Sequence, residues 1–89
     1  MIFELSNRAR SDIANIIRYT IENFGQARAE KYVGGLYNSF DLLTANPKLG
    51  REWKSERQRY IYRSHYVYYR VTPRGIFVTH IRHTSQDPI

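Results

Sequence analysis

His65-Tyr66-Val67-Tyr68-Tyr69-Arg70-Val71-Thr72 reads as a β-strand, and the rest of the chain arranges itself around it. Aromatic and β-branched residues fit a pleated, half-buried surface. Side chains alternate along a strand, so Val67, Tyr69 and Val71 share one face and Tyr66, Tyr68 and Arg70 the other. Residues 57–63 and 76–83 have the same Tyr, Val, Ile and Phe enrichment. Arg63-Ser64-His65 and Thr72-Pro73-Arg74-Gly75 supply the turns between the three, with Pro and Gly setting the bend. Residues 2–5 are short and apolar and suit an added strand beside this meander. Residues 48–56 read as a polar loop.

The first half reads as a helical hairpin. Ala9, Ile13, Ile16, Ile17, Ile21 and Phe24 step by three and four, which places them in one stripe along a helix. Ser6 suits the N-cap and Gly25 the left-handed position after the last turn. A second stripe runs through Ala29, Tyr32, Val33, Leu36, Phe40 and Leu43. It stops at Asn46-Pro47, because Pro disfavours helical geometry in the residue before it. Gly34 and Gly35 inside this helix cost about 1 kcal/mol each relative to Ala. Close approach of a neighbour is the reading that explains them, with a local break as the alternative. The order is β-α-α-β-β-β, an α+β fold with the hairpin packed on one face of a small antiparallel sheet. At 89 residues, one domain covering 1–89 is expected.

Composition narrows the function. Without cysteine there is no disulfide framework and no thiolate metal site. Met1-Ile2-Phe3-Glu4-Leu5 meets charge almost at once, and nowhere do apolar residues run for the roughly 18 that a membrane span needs. A cytoplasmic protein with no membrane partner is expected. The net charge of +6 is unevenly distributed. Up to Pro47, five Arg/Lys balance five Asp/Glu; from Lys48 onward nine Arg/Lys face only Glu52, Glu56 and Asp87. The asymmetry points to a polyanionic partner, nucleic acid or an acidic protein segment, with a merely solvated basic face as the equal alternative on charge alone.

Several catalytic readings fail on geometry. His80 and His83 are three apart on a strand and point to opposite faces, so they do not share a metal ion. The Ser, His and Asp of residues 83–87 are neighbours in a terminal tail and do not converge on a nucleophile as a triad does. There is no glycine-rich phosphate loop. No metal and no cofactor is expected. What remains is a basic, aromatic strand set: Arg57, Arg59, Tyr60, Tyr62, Arg63, Tyr66, Tyr68, Arg70, Arg82 and His83. Arg clamps phosphate and Tyr stacks on bases. The bland reading is that half of the tyrosines fill the core, Tyr69 first among them.

Four motifs, in order along nearly the whole chain, resemble the ParE branch of the bacterial ParE/RelE toxins. Ala9-Arg10-Ser11-Asp12-Ile13 through Ile16-Ile17-Arg18-Tyr19-Thr20 to Phe24-Gly25 is similar to the first ParE helix. Asn46-Pro47-Lys48-Leu49-Gly50-Arg51 resembles the N-P-x-x-G-R loop, Tyr68-Tyr69-Arg70-Val71 the Y-Y-R-V strand, and Ile81-Arg82-His83 with Asp87-Pro88 the closing I-L-H-x-x-x-D-P. Arg82 departs from the usual Leu.

The resemblance implies the toxin of a type II toxin–antitoxin pair, with a ParD-like antitoxin and DNA gyrase as target. Such toxins trap gyrase's cleavage complex and are not enzymes. The RelE branch instead cuts mRNA on the ribosome; on that alternative the catalytic set is Arg70, Arg82 and His83. A non-enzymatic nucleic-acid-binding module is the third reading. The last twenty residues lack Tyr and the chain lacks a dense lysine set, which favours ParE. Target contacts are expected at Arg51, Arg63, Arg70, Arg82 and His83. Antitoxin contacts are expected at Ile17, Tyr19, Ile21, Tyr37, Arg59 and Arg63, where an acidic–apolar tail folds onto an apolar groove with a basic rim. Higher toxin–antitoxin oligomers are compatible with this. Arg82 and His83 are expected on opposite faces with separable roles, and residues 85–89 as a mobile tail.

Overall fold

The computed structural model describes residues 1–54 and 56–86. Strand β1 (Ile2–Leu5) leads into α1 (Asn7–Phe24) and α2 (Gln26–Ala45). A 3₁₀ turn (Pro47–Leu49) precedes β2 (Arg51–Lys54), β3 (Arg57–Tyr62), β4 (His65–Thr72) and β5 (Gly75–His83), and a second 3₁₀ turn covers Thr84–Gln86. The sheet order is β1-β5-β4-β3-β2.

Ser6 caps α1: its Oγ accepts from the Ala9 backbone N–H at 2.9 Å and donates to the Thr79 carbonyl, fastening the helix start to β5. Gly25 ends α1 with φ 90° and ψ 164°. This is an extended mirror-image geometry rather than the left-handed helical one expected, and glycine adopts it freely. α2 runs unbroken through both internal glycines. A Cβ at Gly35 would strike the Tyr62 hydroxyl and ring, whereas one at Gly34 would meet open space. Close approach therefore explains Gly35 alone.

One face of the sheet carries the core. Ala9, Ile13 and Ile16 of α1 and Leu36, Phe40 and Leu43 of α2 pack on Val67, Tyr69, Ile76, Val78 and Ile81. Full burial of each large apolar side chain stabilises by about 1.5–3 kcal/mol. Tyr69 is buried, with its Oη donating to the Pro47 carbonyl at 2.6 Å and accepting from Gly50 N–H at 2.9 Å. A Cβ on Gly50 would collide with that ring. The Asn46–Gly50 sequence is thus a socket for one tyrosine.

The structure corrects further expectations. The sheet is mixed, not antiparallel, because β1 pairs parallel with β5. Three successive reversals from β2 to β5 set the direction of β5, and a four-residue strand carries no pattern specifying its neighbour's direction. The expected polar loop contains β2, a fifth strand on the β3 edge. The apolar stripe of α1 does not stay buried to its end: Thr20 is buried, while Ile21 is 43% and Phe24 59% exposed. Burial along β4 does not follow its two faces. Tyr68 pairs with His80 but Tyr69 with Val78, leaving Thr79 as a bulge; Tyr68 and Tyr69 are both buried, and Val71 is exposed.

Candidate functional surfaces

The face of the sheet opposite the helices carries an aromatic–cationic cluster. Tyr68 is its floor: the His80 ring stacks on it at 4.3 Å, and Trp53 meets it edge-on at 5.4 Å. The Arg59 guanidinium lies 4.2 Å over Tyr66 and 5.4 Å from the Trp53 ring, with Lys54 Nζ 4.6 Å above the same indole. Arg70 sits 5.1 Å over Phe77. Burial, reinforced by the nearby Arg8, lowers the His80 pKa to about 4, so the ring is neutral at pH 7. The Tyr68 hydroxyl is buried without a hydrogen-bond partner among the described residues. Trp53 is not among the expected site residues, because residues 48–56 read as a loop. Its only signal there was the run of charge around a single indole.

A cleft of about 700 Å³ opens on the helical side, between α1, the start of α2 and the far end of the β4–β5 hairpin. Tyr19, Phe24 and Arg28 form one wall, and His65, His83 and Ser85 belong to the other. Tyr32 Oη shares a 2.6 Å hydrogen bond with His65 Nδ1, and the His83 ring stands edge-on to His65 at 5.2 Å. Burial and then the charge of His83 lower the His65 pKa to about 4, while burial raises that of Tyr32. His80 and His83 lie on opposite faces, as the strand period requires. Phe24 and Arg28, whose guanidinium lies 5.7 Å over the Phe24 ring, were not among the expected site residues. The periodicity assigned Phe24 to the core.

The expected site residues do not form one surface. Arg70 stands opposite Phe77, and Arg82 opposite Tyr66, four residues further along β4; that separates their backbones by about 13 Å. His83 projects to the other face. Arg82 donates to the Gln86 carbonyl at 2.8 Å, and His83 Nδ1 lies 2.8 Å from Ser85 Oγ, so both hold the turn that follows β5. Asp87 and Pro88 of the closing motif, and residues 87–89 of the tail expected to be mobile, lie outside the described residues. Arg51 pairs with Arg59 on the sheet's open face, while Arg63 sits in the β3–β4 turn beside the cleft, with φ 51°. Of the expected antitoxin set, Tyr19 and Ile21 are exposed, Ile17 is half-buried on the core, and Tyr37 packs inward against Phe3 and Phe40. Arg59 lies on the opposite side of the sheet.

These features define a small α+β protein with a helical hairpin on one sheet face and a basic, aromatic surface on the other. Residues 3–88 match the family described as ParE toxin of type II toxin-antitoxin system, parDE. Toxin ParE1 of Mycobacterium tuberculosis, strains CDC 1551 / Oshkosh and ATCC 25618 / H37Rv, is 33% identical over 87 residues, covering 93% of this chain and 89% of the relative. The fold is similar to a chain of the chromosomal ParDE TA system from P. aeruginosa, with a TM-score of 0.80 at 20% identity over 93% of this chain and 95% of that one. The chain belongs to the ParE toxin family of type II toxin–antitoxin systems.

Proposed function

We propose that this toxin acts in the cytoplasm by binding DNA gyrase, not by catalysis, and that a ParD-like antitoxin neutralises it. Family membership supports the gyrase reading. The observation that favours binding over RNA cleavage is the dispersal of Arg70, Arg82 and His83. An acid–base pair and a phosphate-stabilising arginine must reach one scissile phosphate. Here two members are about 13 Å apart along the sheet and the third is on its other face. The cleft beside Tyr19, Phe24 and Arg28 suits an acidic–apolar antitoxin segment, since it offers exposed rings next to a cation.

The test is induced expression in which plasmid topology and mRNA integrity are followed together. Linearised or relaxed plasmid with intact mRNA is the expected result. Codon-phased mRNA cuts with normal topology would overturn the proposal in favour of an mRNA interferase.

A further inference from the structure

We propose that the open face of the sheet, centred on Arg59, Arg70 and Arg51, binds the phosphate backbone of duplex DNA. The inference holds whether or not gyrase is the target.

The first observation is the β2–β3 ladder. Arg51 stands directly opposite Arg59, and Lys54 directly opposite Arg57. Directly opposed side chains have Cβ atoms about 5 Å apart, and like charges there destabilise the sheet. Two such pairs in one short ladder make sense if an anion lies across them. The second is the way the cations are held. Arg59 is laid on Tyr66 and Trp53, and Arg70 on Phe77. A guanidinium held over a ring has its position set while it keeps N–H groups that phosphate oxygens can accept.

The third observation selects the kind of nucleic acid. Single strands are gripped by stacking bases on free aromatic faces. Here the rings are taken: Tyr68 is 2% exposed and Arg59 covers Tyr66. Backbone contact to a duplex remains. Arg51 on β2 and Arg82 on β5 are three strand spacings apart across the sheet and two residues apart along it, about 16 Å in all. That is enough to straddle the roughly 12 Å width of the B-form major groove, so Arg51 at one end reaches a phosphate on one side while Arg82, one of whose N–H groups is held by the Gln86 carbonyl, offers its remaining N–H to the other. The narrow, deep major groove of duplex RNA does not match this span.

The single tryptophan makes the test local, because Trp53 lies within the cluster. A 16-base-pair duplex DNA is titrated into the free toxin at several KCl concentrations, with indole emission and the anisotropy of the labelled duplex read together. The expected result is a change in Trp53 emission that tracks binding, with log K falling against log salt at a slope of about −3 to −4, for about four phosphates. Arg59→Gln/Arg70→Gln weakens binding by about tenfold or more and reduces the slope by about 2. Arg51→Gln, whose side chain is exposed, weakens binding without touching the aromatic packing and guards against misfolding of the double variant. Arg10→Gln/Arg18→Gln on the exposed surface of α1 removes the same charge and leaves binding nearly unchanged. Equal losses in the two double variants, binding without any change in Trp53 emission, or tighter binding to duplex RNA or single strands would each overturn the proposal.

Discussion

Tyr69, Gly50, Gly34 and Gly35 show how much single residues carry in a chain this small. The Tyr69 hydroxyl both donates to Pro47 and accepts from Gly50, and its position is buried. Tyr69→Phe leaves that N–H and carbonyl without their partner, so a loss of about 1–3 kcal/mol is expected in urea unfolding. The two helical glycines should respond in opposite directions. Gly34→Ala gains helix propensity in open space and should stabilise by about 0.5–1 kcal/mol. Gly35→Ala displaces the Tyr62 ring and breaks its 3.0 Å bond to the Tyr32 carbonyl, so it should destabilise by about 1 kcal/mol despite the same propensity gain. Melting temperatures of the two variants, measured side by side, check this. His65 and His80 make the protein sensitive to pH. Both pKa values are about 4 in the folded state, below the ordinary 6.5. Between those values the unfolded chain binds more protons, so stability is complete above about pH 6.5 and falls as pH drops toward 4. The urea midpoint should fall between pH 7 and 5.5, and His65→Asn/His80→Asn should flatten that dependence. An unchanged slope in the double variant would place the sensitivity elsewhere.

At the scale of elements, the first half of α1 is attached to the sheet by polar contacts that an amphipathic pattern does not reveal. Ser6 joins its start to β5, and Asp12 Oδ2 accepts from the Ile81 backbone N–H at 2.9 Å, where β1 has ended and β5 would otherwise be an open edge. Ser6→Ala should cost about 1–2 kcal/mol, since it removes the helix cap together with the Thr79 bond. Thermal unfolding should show this as a shift larger than that of an exposed Ser→Ala control such as Ser11→Ala. The end of α1 is different. Tyr19, Ile21 and Phe24 emerge from the core and stand exposed, so this turn is expected to gain protection from amide exchange when the antitoxin binds.

Across the whole molecule, the two basic regions are separated by the sheet. Arg63 lies in the turn beside the cleft, and Arg51 on the open face. Reversing Arg63 to Glu should slow antitoxin association at low salt more than reversing Arg51, and the difference should shrink as salt rises. Equal effects in stopped-flow measurements would mean that the antitoxin spans both faces. Arg82→Ala and His83→Ala should likewise have separable effects on toxicity, because the first faces the Arg59 cluster and the second the cleft. Growth inhibition by each variant, compared at matched expression, reads this directly.

Much of this arrangement was legible from residue order. The helix spacing, the Ser6 cap, the Asn46-Pro47 stop and the β-rich runs are local signals, since each depends on backbone geometry within a few residues. The family motifs were legible for a related reason: Gly50 and Tyr69 must keep their identities to fit one another. Tertiary structure alone decided the rest. Whether β1 runs parallel to β5, whether residues 51–54 form an edge strand, and where the Thr79 bulge falls all depend on partners distant in sequence. The bulge and the fifth strand together make Tyr68, placed by alternation on the face opposite Tyr69, the buried floor of a cluster with Trp53 and His80. The same long-range pairing placed Arg51 against Arg59 and separated Arg70, Arg82 and His83. A period of two assigns a side chain to a face, but only cross-strand register decides what stands opposite it.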